Sequence, residues 1–213
     1  MSADRLVIVD GGCDTAEIAD YEATRRDAMR RGLIAGGAVL AAGTVPMLLR
    51  VSNAFAQSDG DVGIIEGAVA IEQEAVAAYD FAFKSGVLSE PITQAARLFR
   101  DQEQEHANAL TAALEDLGGE APEPPEPADV QGLTELRSER DVLAFAIELE
   151  NAGVMAYIDA MSTLQSPGLL KTGAQIMANE GQHLVVLRLA MGVSPAASVP
   201  SAFEAGTDGP PTT

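Results

Sequence analysis

Glu103-Gln104-Glu105-His106 and Glu180-Gly181-Gln182-His183 are the two stretches on which the reading of this chain turns. Between them they hold both of its histidines, and each follows a glutamate roughly thirty residues upstream, Glu72 and Glu150. A Glu-x-x-His spacing on a helix sets a carboxylate and an imidazole on one face, close enough to grip a single ion. Two such pairs, with one carboxylate from each of two further helices, are the ligand complement of a two-ion site between four helices. The metal candidates are therefore Glu72, Glu103, His106, Glu150, Glu180 and His183.

The segments around these residues read as helices. From Asp61 to Lys84 the apolar positions Ile65, Val69, Val76 and Phe83 recur at helical spacing, and Glu72 and Tyr79 fall on the same face. A second helix is expected from Pro91, after Ser89, to Leu117, where Gly118-Gly119 stops it. Its inward stripe is Phe99, Glu103, His106, Leu110 and Leu114. Ser138 and Asp141 form a capping box for a third helix reaching Leu164, and Ser166-Pro167 opens a fourth that ends at Gly192.

The segment from Glu120 to Asp129 is too rich in proline for a helix. Extended as polyproline at about 3.1 Å per residue, it covers roughly 30 Å, the length of a twenty-residue helix. It can cross the whole bundle. The midpoint between Glu72 and Glu103 falls in the first connection, and that between Glu150 and Glu180 falls on Gln165, in the second. In an antiparallel hairpin, residues equidistant from the turn share a height, so each glutamate faces its Glu-x-x-His pair. The fold class is all-α: an antiparallel four-helix bundle of two helix hairpins joined by a long Pro-rich crossover. Residues 71–79 and 149–157 also match, each with Glu at the second place and Tyr seven later, an internal repeat of one hairpin.

At 213 residues the chain suffices for one domain with terminal extensions. Its net charge of −19 disfavours nucleic acid and anionic membranes and favours cations. Cys13 is the only cysteine, which excludes intrachain disulfides, a thiolate zinc site and a rubredoxin-type iron centre. Any ion must be held by oxygen and nitrogen ligands, a set suited to iron or manganese. Four carboxylates flanked by apolar residues would be buried together, and even one unpaired buried charge costs several kcal/mol. Two divalent cations balance them. Tyr79 and Tyr157, two turns beyond Glu72 and Glu150, are candidate catalytic residues, as redox-active phenols or as hydrogen-bond donors, with ordinary core packing the alternative. Glu74, Glu105 and Glu148 point away from the ligand stripe.

Arg25-Arg26, followed by an apolar run from Gly32 to Leu49 and by Ala54-Phe55-Ala56, resembles a twin-arginine export signal. The expected organisation is a signal over 1–56, a bundle domain over 57–192 and a flexible Pro/Ser/Gly-rich tail over 193–213. Export implies the periplasm, the cell surface or the extracellular space. A signal left uncleaved would instead anchor the chain, whereas the mature form needs no membrane.

On these motifs the chain, over about residues 60 to 191, resembles the ferritin-like di-iron carboxylate superfamily, and within it exported bacterial ferritin-like domain proteins. The resemblance implies that Glu103 and Glu180 bridge two metal ions, that Glu72 and Glu150 are terminal ligands, and that each histidine binds one ion. Tyr79 matches the tyrosine seven residues after the first ligand in ferritins and bacterioferritins. The implied cofactor is two Fe ions, with two Mn ions as the alternative, and the implied partners are metal ions and O2 or H2O2. A homodimer is left open. The implied activity is a ferroxidase or peroxidase type of redox chemistry; the alternatives are a di-manganese catalase and a non-enzymatic protein of stress or desiccation. No fifth helix is expected after the fourth, which argues against a large mineral-storing cage.

Overall fold

The computed structural model describes residues 60–211. The export signal expected over residues 1–56 lies outside them. Among the described residues there are no strands, one short 3-10 turn, Leu133–Glu135, and four long helices. These are α1, Asp61–Lys84; α2, Glu90–Asp116; α3, Glu139–Met161; and α4, Pro167–Ala190. The pairs α1/α2 and α3/α4 pack as hairpins, with α1 also against α3 and α2 against α4. The expected four-helix bundle is the observed one.

Local chemistry sets the ends. Ser138 Oγ accepts from Asp141 N while the Asp141 carboxylate accepts from Ser138 N, the capping box expected for α3. Gly86, Gly118 and Gly192 take positive φ values of 74°, 81° and 86° just beyond α1, α2 and α4, a conformation that β-carbon crowding disfavours elsewhere. Helix α3 stops at Met161 rather than Leu164. There Ser162 Oγ and Thr163 Oγ1 both donate to the Asp159 carbonyl and compete with the backbone ladder. At the same end of the bundle the Asp61 carboxylate accepts from Gln165 N at 2.9 Å and Ser166 N at 3.0 Å, tying the start of α1 to the α3–α4 turn.

The buried face of α1 runs through Ile65, Val69, Glu72, Tyr79 and Ala82, whereas Val76 and Phe83 are only half-buried. The apolar core is divided. One cluster joins Ile64, Ile65, Val69, Leu110, Leu114 and Leu164; another joins Tyr79, Phe99, Ile147, Leu184 and Leu187. The glutamates and histidines lie along the same helices between these two plugs.

The Pro-rich crossover is more than a spacer. Gln73 Nε2 donates to Pro122 O at 2.9 Å, and Val130 and Leu133 are buried against Ala75, Ala78, Phe145 and Leu149. It closes the seam between α1 and α3.

Residues 193–211 form no helix, yet they make definite contacts with the bundle. Arg188, buried in α4, pairs with Glu204 at 3.0 Å, Asn151 Nδ2 donates to Asp208 O at 2.9 Å, and Ser198 is 1 % exposed. Gly206, with φ 67°, lies so close to α3 that an added Cβ would stand 2.2 Å from Asn151 O. Composition suggested a loose tail. The structure shows a strap whose small residues allow close approach to the helix backbone. No helix among the described residues is long and apolar enough to cross a membrane.

Candidate metal centre

Each helix contributes to one cluster: Glu72 from α1, Glu103 and His106 from α2, Glu150 from α3, Glu180 and His183 from α4. The i, i+3 spacing keeps each Glu-x-x-His pair on the inward face. The four carboxylates are 1–3 % exposed. Their atoms form two overlapping groups, Glu72, Glu103, His106 and Glu180 in one and Glu103, Glu150, Glu180 and His183 in the other, each with ligand atoms within 4.8 Å of one another. Glu103 and Glu180 belong to both. All six metal candidates read from the sequence are thus brought together, while Glu74, Glu105 and Glu148 join neither group.

Both histidines turn Nδ1 toward the carboxylates. His106 Nδ1 stands 3.2 Å from Glu103 and Glu180 and 3.3 Å from Glu72. His183 Nδ1 stands 3.0 Å from Glu103, 3.2 Å from Glu180 and 3.3 Å from Glu150. Proximity is not satisfaction, however: His183 Nδ1, Glu103 Oε1 and both Glu180 oxygens are buried without a hydrogen-bond partner. Buried polar atoms are rarely left so, and a cation between them would satisfy all four. Oxygen and nitrogen ligands of one ion, each at about 2.1 Å, lie at most roughly 4.2 Å apart, a spacing the groups can meet. The cluster is compatible with metal binding.

Electrostatics carry the same signature. Burial, with the neighbouring Glu180 carboxylate, pushes Glu150 up to about 8. Burial also holds Glu72 well above the usual carboxylate range. Burial opposes charge on the histidines as well, but the surrounding carboxylates override it and raise both His106 and His183 to about 12. Glu180 is the exception: burial and Glu103 raise it, yet contacts with Glu150, His106 and His183 leave it lowered. Without a metal ion, protons must do the work of cations.

The tyrosines exchange partners between hairpins. Tyr79 of α1 donates its hydroxyl to Glu150 of α3, and Tyr157 of α3 donates to Glu72 of α1. Seven residues forward along α1 correspond to seven backward along α3, which is the register of an antiparallel pair. Burial, then the charge of the accepting glutamate, raises both phenols well above their ordinary value, so each stays a donor. The tyrosines thus combine two of the arrangements open to them: their rings pack in the apolar clusters and their hydroxyls donate to Glu150 and Glu72.

Two contacts escaped sequence reasoning. His183 Nε2 lies 2.8 Å from Gln102 Oε1, which accepts its N–H and leaves Nδ1 facing the carboxylates. Phe99 stacks on the His183 ring at 4.0 Å and 26°. Among the described residues neither contact is made to His106, whose side chain is 13 % exposed against 1 % for His183. Gln102 immediately precedes the candidate ligand Glu103, the only signal that marked it, and an adjacent helical position points about 100° away on its own helix. The halves of the site are consequently unequal.

No curated relative and no solved structure matches the chain. The family model described as Ferritin-like domain matches residues 60–193, the span that holds all four helices and all six clustered residues. The chain belongs to the ferritin-like domain family.

Proposed function

We propose that this is an exported di-iron carboxylate protein whose two ions react with dioxygen or peroxide. The observation that carries the reading is the pair of buried ligand groups sharing Glu103 and Glu180, with orphaned atoms in both. Two ferrous ions bound there would each give one electron to dioxygen, which with two protons leaves as hydrogen peroxide. The residues supply the setting. Four carboxylates match the charge of two divalent ions, and neutral imidazoles present Nδ1. Gln102 fixes the ring of His183, and the Tyr79 and Tyr157 hydroxyls hold Glu150 and Glu72 in place. The apolar clusters on either side exclude water, which strengthens every interaction between them.

Ferrous iron titrated anaerobically should bind to two per chain, and admission of air should raise a near-ultraviolet absorption. Oxidation of iron by Glu103→Ala at the wild-type rate would refute the reading. Elemental analysis of protein from its native host separates iron from manganese, and vigorous oxygen release from peroxide would favour the di-manganese catalase. A fall in melting temperature on metal removal, with no turnover of either oxidant, would assign the metal a structural role. Export rests on Arg25-Arg26 and the apolar run from Gly32 to Leu49. Lysine at both arginines should retain the precursor in the cytoplasm, and unchanged fractionation would sink the export reading.

A further inference from the structure

Beyond the cluster, toward the outer ends of Tyr79 and Phe99, the four helices enclose a cavity of about 30 Å³ whose accessible lining is wholly apolar. Alanines on all four helices line it among larger apolar residues and leave the space: Ala82 from α1, Ala95 and Ala96 from α2, Ala146 from α3 and Ala190 from α4. Its inner wall includes two rings that touch the candidate metal centre. Tyr79 donates to Glu150, Phe99 stacks on His183, and the two rings meet edge to face at 5.8 Å. Its lining also includes Val186, 41 % exposed, on the side away from these rings' contacts with Glu150 and His183. A second cavity of about 10 Å³ shares Tyr79, Ala82, Val142 and Ala146 with it.

Lining chemistry selects the occupant. A cavity needs about 10–15 Å³ to admit one water, but a water also needs two or more polar partners, and apolar cavities stay dry. Hydrogen peroxide would enter with its hydroxyls unpaired, which is strongly unfavourable. An apolar diatomic gas has no such requirement, and the volume suits two bonded second-row atoms. We propose that this cavity is a holding site for dioxygen and delivers it past Phe99 and Tyr79 to the Glu150–His183 half of the centre. The inference rests on the metal reading above and deepens it by naming dioxygen, not peroxide, as the oxidant this entrance serves.

Xenon, an apolar probe of similar girth, tests the cavity on the metal-free chain. Under xenon pressure the methyl resonances of Ala82, Ala96, Val142 and Leu187 should shift and saturate. Ala96→Leu, which fills the interior, and Ala95→Leu, at a half-buried position that puts folding at less risk, should both abolish the shifts. Loaded anaerobically with two ferrous ions, each variant should then oxidise several-fold more slowly with dioxygen and at the wild-type rate with peroxide. Absence of xenon shifts in the wild type overturns the proposal. So does loss of xenon binding with an unchanged dioxygen rate, or equal slowing with both oxidants. Failure to bind iron overturns the metal reading and the delivery role together, and the xenon shifts, which need no metal, distinguish that result from failure of the cavity itself.

Discussion

Glutamine at Glu103 should abolish both ion sites at once, whereas glutamine at Glu72 or at Glu150 should abolish one. Glu103 reaches toward both histidines, with one oxygen 3.2 Å from His106 Nδ1 and the other 3.0 Å from His183 Nδ1. Glu72 belongs only to the His106 group and Glu150 only to the His183 group. The Glu→Gln change preserves shape and removes one charge, so each variant can be read by its metal-induced shift alone. At free metal one hundred times the dissociation constant, each occupied site stabilises the fold by ~2.7 kcal/mol, so two independent sites give ~5 kcal/mol. For a chain of this size 1 kcal/mol moves the melting temperature by about 2–4 °C, so the expected shifts are about 10–20 °C for wild type and about 5–10 °C for E72Q and E150Q. For E103Q the shift should be close to none. Scanning calorimetry with and without manganous ion, which is stable in air, supplies the shifts, and elemental analysis supplies the matching stoichiometry of two, one, one and zero. A wild-type shift in E103Q, or complete loss in E72Q, would refute the shared-ligand geometry.

Gln102→Leu removes the acceptor on His183 Nε2 and should weaken binding in the His183 half about 10–100-fold, leaving the other half near wild type. Two-phase isothermal titration would show this, and equal weakening of both phases would contradict it. Glu204→Ala leaves the buried Arg188 guanidinium without its carboxylate and should cost about 1.5–3 kcal/mol in urea unfolding, the range for hydrogen bonds to charged groups. An unchanged midpoint would mean that the Arg188–Glu204 pair contributes nothing to stability. The metal-free protein should become less stable as pH rises. His106 and His183 are raised from 6.5 to about 12, so their contribution is full below 6.5 and lost progressively up to about 12, and that of Glu150, raised from 4.5 to about 8, is lost between those two values. Glu180 is lowered and works in the opposite sense, but only below 4.5. Metal displaces these protons, so its stabilising shift should grow from about pH 6 to about pH 9. A metal-free melting temperature that climbs over that range would contradict the assignment.

Helix periodicity is a local property, and what depended on it was readable from residue order. Asp61 to Lys84 is α1 to the residue, the Ser138–Asp141 capping box opens α3, and the i, i+3 pairs face inward on α2 and α4. Hairpin midpoints brought Glu72 and Glu150 to the height of their partners because an antiparallel pair with a short turn has little freedom of register. Contacts between hairpins were not readable, because the crossover leaves the register of α1 on α3 to side-chain packing. The exchange of tyrosines, Tyr79 to Glu150 and Tyr157 to Glu72, is decided there. So is the inequality of the halves: Gln102 and Phe99 reach His183 and nothing equivalent reaches His106, although the repeat makes the two hairpins look alike. Composition described the crossover as an extended span and the tail as a flexible segment, without saying what either would touch. That Val130 and Leu133 close the α1–α3 seam, and that Gly206 settles on Asn151, follows from surfaces that exist only once the helices have packed.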